Sequence, residues 1–222
     1  MKDIQILSIN ILGEAELLTA DHQSGRSAYR KIPISKDRIE LGITGFMGDM
    51  VNDTKNHGGN DKAICCYNSD HLLKWESELG FKLGVAAFGE NLSLTGANAN
   101  EEHIYIGDRY QLGEAVVEVS EPRGPCYMIG IRHNYKKFPL LLQQSGLTGY
   151  YLRTIKPGFV KKSDQLIHIS SHPEKISVMD VNYTRYHDPE NKEQLQRLVK
   201  LKELTLDWRD RFEKMLNKLE NI

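Results

Sequence analysis

The sequence predicts a mainly β protein, with a barrel-like β domain and a few helices over residues 1–171 and a three-helix appendage over residues 172–222. Three observations predict this class. Short runs rich in β-branched and aromatic residues recur through most of the chain, as strands do. Glycine and proline, with 18 and 7 copies in 222 residues, separate those runs. The final part of the chain instead places its apolar side chains at helical spacing.

The first strand is predicted at residues 4–12, where the chain is rich in isoleucine and leucine. Residues 20–27 are polar and predict a turn. A strand-like run covers residues 28–34, and Pro33 confines it to the edge or end of a sheet because proline has no N–H to donate. Residues 38–41 predict a short strand, and the glycines after it predict a loop that turns sharply.

One helix is predicted at residues 70–80, with Ser69 or Asp70 as its cap and Gly80 at its end. Its Trp75 is expected in the core. A hairpin is predicted to turn at Gly113. The two strands of this hairpin are predicted at 104–112 and 115–120. Further elements of the β domain are a short helix at 139–144 and strands at 148–155 and 165–169.

The appendage contains two helix-start signals. Residues 177–180 read as a capping box, and Asp188 followed by Pro189 predicts an N-cap with proline at the first helical position. Trp208 and Phe212 share a helical face with further apolar residues. We interpret that face as core or as a docking surface, and not as a cofactor site.

Composition narrows the class of function. The formal net charge is −1, with 27% charged and 40% hydrophobic residues, which is ordinary for a soluble globular protein. The balance gives no basic groove for nucleic acid, and no apolar run is long enough to span a membrane. Three cysteines without C-x-x-C spacing predict neither a disulfide framework nor a structural zinc site. We therefore expect a reduced, cytoplasmic protein without nucleic-acid or membrane partners.

The stretch Glu121-Pro122-Arg123-Gly124-Pro125-Cys126-Tyr127 is the strongest candidate for chemistry. Its prolines and glycine fix the backbone, and Cys126 follows Arg123 by three residues. A guanidinium nearby favours the thiolate, the form that attacks carbon or ligates metal. The alternative is a small cysteine buried after a tight turn. The rigid frame and the arginine favour a thiol that is presented to a ligand.

A second candidate begins at His57. Gly58 and Gly59 leave backbone N–H groups unhindered, which suits an anion or the edge of a heterocycle, and Asp61 and Lys62 add an acceptor and a cation. The alternative is a tight turn into a strand with His57 on the surface. The pattern alone does not separate the two interpretations.

Five motifs follow one another along the chain: His57-Gly58-Gly59-Asn60-Asp61-Lys62-Ala63, Phe88-Gly89-Glu90-Asn91-Leu92, Gly107-Asp108, the Glu121 to Tyr127 stretch, and Gly149-Tyr150-Tyr151-Leu152-Arg153. Together they resemble the MOSC domain, named after the C-terminal part of molybdenum cofactor sulfurase, and the tail resembles the 3-alpha module of stand-alone bacterial YiiM-type proteins. The resemblance covers nearly the whole chain. Two positions depart from the family pattern: Glu121, where glutamine is more usual, and Tyr150, where tryptophan is common.

The resemblance implies a pyruvate-kinase-barrel-like β-barrel that carries molybdopterin-bound molybdenum, the molybdenum cofactor. It implies that Cys126 is the catalytic residue and supplies a thiolate to the metal, consistent with the softness of that ligand. It also implies reduction of N-hydroxylated bases and related compounds to amines. The residues expected to bind the cofactor are Lys31, His57, Gly58, Gly59, Asp61, Lys62, Asn91, Arg123 and Arg153, with Asn91 and Arg153 placed toward the substrate mouth.

The implied partners are a small N-hydroxylated substrate and an external flavin or iron–sulfur reductase as electron donor, since the chain has no flavin or iron–sulfur motif of its own. A second subunit is a further expectation, because the tail needs a surface to pack on. Two other functions stay open. One is a carrier that holds the cofactor, or a persulfide on Cys126, without turnover. The other is a cysteine hydrolase with His57 as base, which lacks an identifiable third residue.

Overall fold

The computed structural model describes residues 4–12, 16–21, 23–27, 29–50 and 58–220. Within these residues the chain forms many strands and fewer helices, as predicted. The strands are β1 Ile4–Ile11, β2 Glu16–Ala20, β3 Gln23–Ser27, β4 Ile32–Pro33, β5 Arg38–Gly42, β6 Gly45–Phe46, β7 Ile64–Asn68, β8 Leu92–Thr95, β9 Arg109–Leu112, β10 Ala115–Pro122, β11 Tyr150–Lys156, β12 Gly158–Lys161 and β13 Gln165–Ser170. The α-helices are α1 Leu72–Leu79, α2 Tyr127–Arg132, α3 Phe138–Ser145, α4 Val178–Tyr186, α5 Lys192–Lys200 and α6 Leu206–Glu220.

Seven of these strands close into a barrel in the order β13-β9-β10-β11-β7-β8-β1, because β1 also pairs with β13 through Ile4 opposite Leu166. The pairings are antiparallel except for β7 with β8, which is parallel. Because each of the seven strands pairs on both sides, the barrel itself has no edge strand, and edge strands are prone to aggregation. The barrel confirms the predicted mainly β fold class.

The barrel interior and the C-terminal helices share one apolar core. Ile4 and Leu112 from the barrel belong to the same cluster of buried residues as Leu195, Trp208 and Phe212 from α5 and α6. The predicted apolar face of the tail therefore packs on the barrel of its own chain. In the described part of the chain, no helix has both the length and the apolar character needed to cross a membrane.

A second apolar cluster lies beneath α1, α2 and α3. Trp75 is fully buried in it, as expected, and its indole Nε1 donates a hydrogen bond of 2.6 Å to the Tyr67 hydroxyl. The ring of Tyr67 stacks on Phe88 at 3.6 Å between centroids. This cluster supports the segment that carries Cys126, because α2 contributes Met128 to it.

Several local predictions are confirmed. Strand β1 begins and ends within one residue of its predicted bounds, and Pro33 lies in the short strand β4 at the edge of the sheet. Gly80 ends α1 in the left-handed conformation at φ 78°, which glycine adopts without steric cost. The capping box before α4 forms, with Ser177 and Asp180 bonding each other's backbone N–H.

Several predictions were wrong and one helix was missed. Neither Ser69 nor Asp70 caps α1, because a 3₁₀ turn at Ser69–His71, capped by Asn68, precedes its first residue Leu72. Of the strand predicted at 104–112, only β9 forms. Residues 20–27 are not a simple turn, since β2 and β3 form a hairpin with mostly exposed polar side chains. Helix α5 is capped not by Asp188 but by Asn191, whose Oδ1 accepts a hydrogen bond from the Gln194 N–H at 3.1 Å. The sequence did not predict helix α2, because the helix is short and buries four of its six residues. A helix buried on most sides lacks the amphipathic pattern by which helices are recognised in a sequence.

Candidate active site

Cys126 lies where strand β10 ends and helix α2 begins. It precedes the first helical residue with extended backbone angles, φ −107° and ψ 162°, and its thiol caps none of the helix N–H groups. The side chain is half-buried and free. It lines two cavities, which we call the inner pocket and the outer groove. The turn thus places the side chain of Cys126 at the border of both cavities.

The inner pocket is lined by residues of strands β6, β7 and β11 and of the segment between β10 and α2. Among the predicted cofactor residues, those that line it are Lys31, Lys62, Asn91, Arg123 and Cys126. Tyr29 and Cys65 also line it. Residues separated by almost a hundred positions in the chain therefore converge on one thiol.

Arg123 is the most deeply buried cation of the inner pocket, with 4% of its surface exposed. Its Nη2 donates a hydrogen bond to the Tyr29 hydroxyl, and its guanidinium carbon lies 5.5 Å from the centroid of that ring. Burial raises the pKa of Tyr29, so its hydroxyl stays neutral. The Nη1 of Arg123 is buried and has no hydrogen-bond partner among the described residues. A buried cation with an unused donor is costly unless an anion joins it.

Lys31 and Asn91 form a network with Asp49 in the wall of the pocket. The ammonium of Lys31 pairs with the Asp49 carboxylate. The side-chain amide of Asn91 donates to Asp49 Oδ2 at 2.7 Å, and its Oδ1 accepts from the Cys65 N–H at 3.0 Å. Asn91 is therefore part of the scaffold, and the charge of Lys31 is already balanced. Contacts of either residue with a cofactor stay predictions.

Lys62 lies at the boundary of the inner pocket and the outer groove, and lines both. Its ammonium lies 3.6 Å from Glu121 Oε1 and 3.8 Å from Asp207 Oδ2. Burial raises the pKa of the Glu121 carboxyl, against the opposing charge of Lys62. Glu121 Oε2 also accepts a hydrogen bond from the Thr205 hydroxyl at 2.5 Å. The family departure at Glu121 thus lies at the junction of barrel and helices.

Arg153 and Asp61 lie away from both cavities. Arg153 donates from Nε to Asp61 Oδ1 at 2.7 Å, from Nη1 to Glu118 Oε1 at 2.9 Å, and from Nη2 to the Glu203 carbonyl at 2.8 Å. The guanidinium thus joins the turn before β7, strand β10 and the segment before α6. The structure gives both residues structural partners, and it does not bring them to the inner pocket.

The glycine motif occupies the turn that leads into β7. Gly59 has φ 99°, a left-handed conformation that favours glycine, and precedes a 3₁₀ turn at Asn60–Lys62. Gly58 and Gly59 are not among the described residues that line the inner pocket or the outer groove. His57, the first residue of the motif, lies outside the described residues. Of the ligand candidates in this motif that the structure describes, the turn therefore brings only Lys62 to the pocket.

The outer groove lies between the Cys126 turn and the C-terminal helices. From the barrel it takes Lys62, Cys126 and Tyr151, which it shares with the inner pocket. From the helices it takes Arg185, Tyr186, Trp208 and Arg211. Sequence reasoning did not find Tyr29, Arg185 or Arg211, because nothing in their local pattern shows that they approach a thiol distant in the chain. The other departure, Tyr150, packs in the barrel core.

The described residues contain no group of three His, Cys, Asp or Glu side chains arranged to hold a metal ion. Cys126 offers a single soft ligand, which suits a metal whose other ligands come from a bound molecule.

Two family models match the chain: the MOSC domain over residues 53–167 and the YiiM-like 3-alpha helix domain over residues 176–219. The chain belongs to the MOSC domain family. Its order of modules is that of the YiiM type, as the resemblance predicted. The Cys126 turn lies within the MOSC match, and Arg185, Trp208 and Arg211 lie within the helical match. The outer groove of this MOSC protein is therefore formed by both modules.

Similar proteins agree with this assignment. The protein YflK of Bacillus subtilis (strain 168) is 38% identical over 214 residues, 96% of this chain and 95% of its own length. A protein named Reductase from Gibberella moniliformis is 35% identical over 142 residues, which cover 62% of this chain and 25% of that protein. The crystal structure of YiiM from Geobacillus stearothermophilus superposes with a TM-score of 0.80 at 30% identity, covering 96% of this MOSC protein and 99% of that chain.

Proposed function

We propose that this MOSC protein binds the molybdenum cofactor, with Cys126 as the protein ligand to the metal, and reduces N-hydroxylated compounds such as hydroxylaminopurine-type bases to amines. The observation that carries the proposal is the placement of the Cys126 thiol. It is free, half-buried and shared by a cation-lined inner pocket and an open groove. A metal ligand that must also be reached by substrate needs both properties.

The residues of the inner pocket fit such a cofactor. A thiolate is a suitable ligand for a soft, polarisable metal, and the phosphate and dithiolene sulfurs of the cofactor are anionic. Arg123 has a buried Nη1 without a partner among the described residues, which matches an anion that adds to the pocket. Arg123 and Lys62 would hold the anionic groups, and Tyr29 would orient Arg123. When bound, the cofactor would supply two-electron chemistry that accepts an oxygen atom.

The proposed reaction balances as R–NHOH plus two electrons and two protons giving R–NH2 and water. The N–O bond breaks, the oxygen leaves as water, and an external flavin or iron–sulfur reductase supplies the electrons. The name of the Gibberella moniliformis relative, Reductase, supports the redox class. The task of this chain is to hold the reacting group beside Cys126.

A carrier that holds the cofactor or a persulfide on Cys126 is the second candidate function. The observation in its favour is that Cys126 also borders the open outer groove, through which a partner protein could reach it. A cysteine hydrolase has less support. Its candidate base, His57, lies outside the described residues, and the spacing of the sequence identifies no third residue to orient that base.

The test is purification from a host that makes the cofactor, followed by molybdenum analysis and an assay with 6-hydroxylaminopurine and a chemical reductant. Molybdenum near one per chain together with formation of adenine supports the reductase. Bound molybdenum or a persulfide without adenine formation supports the carrier. Protein that holds neither contradicts both functions.

A further inference from the structure

The outer groove adjoins the inner pocket at Cys126. Lys62, Cys126 and Tyr151 line both cavities, so the groove is the space next to the pocket at the thiol. The opposite wall of the groove is formed by α4 and α6, which carry Arg185, Trp208 and Arg211. The non-reacting part of a substrate would therefore meet these helices.

The two arginines of that wall have no carboxylate partner among the described residues. The guanidinium carbon of Arg185 lies 5.5 Å from the ring centroid of Tyr186 and 5.7 Å from that of Trp208, so aromatic rings hold it in place. Arg211 is exposed and forms no ion pair with any described residue. By contrast, other arginines of the chain do pair with carboxylates, as at Arg109, Arg153 and Arg197.

The acidic groups of the groove do not balance these two charges. Glu121 and Asp207 are its two carboxylates, and both face Lys62, at 3.6 and 3.8 Å. Glu121 is buried and also accepts a hydrogen bond from Thr205. Lys62, Arg185 and Arg211 together exceed these two carboxylates by one positive charge, and the two guanidinium groups place that excess at the end of the groove formed by the helices.

We infer that the outer groove is a subsite for the phosphate of a nucleotide substrate, with Arg185 and Arg211 as its anion-binding residues. This inference rests on the proposed reductase function and names its substrate class: an N-hydroxylated base that carries a phosphate. Two guanidinium groups attract a phosphate monoester, whose charge is about −1.5 to −2 at neutral pH, and their planar donors suit its oxygens. Tyr127, 55% exposed at the rim, offers a ring to the sugar or base.

The test compares two substrates, 6-hydroxylaminopurine and its ribonucleoside 5′-monophosphate, with a chemical reductant. We expect kcat/KM to favour the nucleotide by about tenfold or more, because charge-assisted hydrogen bonds to phosphate are strong. Arg185→Gln and Arg211→Gln should each remove most of this preference and leave kcat/KM for the free base within about twofold. Lys214→Gln, an exposed position on the same helix α6, is the matched control and should behave as wild type.

A binding measurement separates failure of this inference from failure of the reductase. Calorimetry with adenosine 5′-monophosphate needs no turnover, and we expect its affinity to fall in both arginine variants but not in Lys214→Gln. Arginine-dependent binding without reduction of either substrate would support the phosphate subsite and refute the reductase. Equal reduction of both substrates, with binding unaffected by the arginine variants, would refute the subsite alone. Arginine variants that are impaired only with the protein electron donor would also overturn it, in favour of a docking surface.

Discussion

The chain places cysteines in two contrasting settings, adjacent on a strand and alone at a turn. On β7, Cys65 faces the inner pocket while Cys66 belongs to the barrel core, since successive strand residues point to opposite faces. At the end of β10, the backbone frame of Pro122, Gly124 and Pro125 delivers Cys126 to the start of α2. All three residues are cysteines, so the backbone at each position decides whether the thiol can react or bind a metal.

The difference extends to ionisation and access. Burial raises the pKa of Cys65 to about 11, and raises that of Cys66 as well. Both thiols are thus held protonated, and both are buried. Cys126 is half-buried, packs against the second apolar cluster and borders both cavities. The inner pocket is lined by two cysteines. Cys126 is available as a ligand, whereas Cys65 only forms part of the pocket wall.

The largest expected effect follows from removing the half-buried Cys126 thiol. Cys126→Ser should reduce N-hydroxy reduction to background and lower molybdenum per chain, because a hydroxyl is a poor ligand for a soft metal at neutral pH. Cys65→Ala is the matched control, in the same pocket, and should keep most activity. Metal analysis and turnover measure the outcome. Full activity in Cys126→Ser would show that Cys126 is not the metal ligand and that its position differs from that of Cys65 without functional consequence.

Thiol labelling tests the same distinction without any cofactor. A thiol with a pKa of about 11 carries a thiolate fraction near 10⁻³ at pH 8, and its burial slows reaction further. We expect a disulfide reagent to modify Cys126 in the native protein, and Cys65 more than about a hundredfold more slowly. The rate at Cys65 should rise with pH toward 11. Mass spectrometry of digested protein assigns each site, and equal native rates would contradict the contrast.

Arg123 is close enough to both pocket cysteines for its charge to interact with Cys65 and with Cys126. Arg123→Gln should lower cofactor affinity by roughly ten- to a hundredfold, as expected for loss of a charged hydrogen bond of about 1.5–3 kcal/mol. Lys62→Gln should have a smaller effect, because that charge is shared with Glu121 and Asp207. Molybdenum occupancy should fall more than turnover per bound metal. The reverse result would place Arg123 on the substrate side.

The smallest effect is expected from the strand cysteines. Cys66→Ala removes a fully buried sulfur from the core and should lower the free energy of unfolding by roughly 1 kcal/mol. Cys65→Ala should cost less, because its side chain borders a cavity. Urea unfolding of both variants measures the difference. A larger loss for Cys65→Ala would show that the pocket wall, and not the core, carries the stability of β7.

The sequence was sufficient for the fold and for the turn at Cys126, because both depend on local signals such as strand alternation, proline and glycine. Contacts between distant segments were not readable in the same way. Arg153 resembled a mouth residue until the fold placed it beside Asp61 and Glu118. The approach of Arg185 and Arg211 to Cys126 depends on how the helices pack on the barrel, and no local pattern encodes that packing.

The three hydrogen bonds of Arg153 affect how the protein unfolds. They connect the turn before β7, strand β10 and the segment leading into α6, while Thr205 adds a bond from that segment to Glu121. Helices joined to a barrel by such bonds and by a shared core have no independent melting transition. Their backbone amides should exchange with solvent deuterium at rates set by the opening of the barrel, as one cooperative unit.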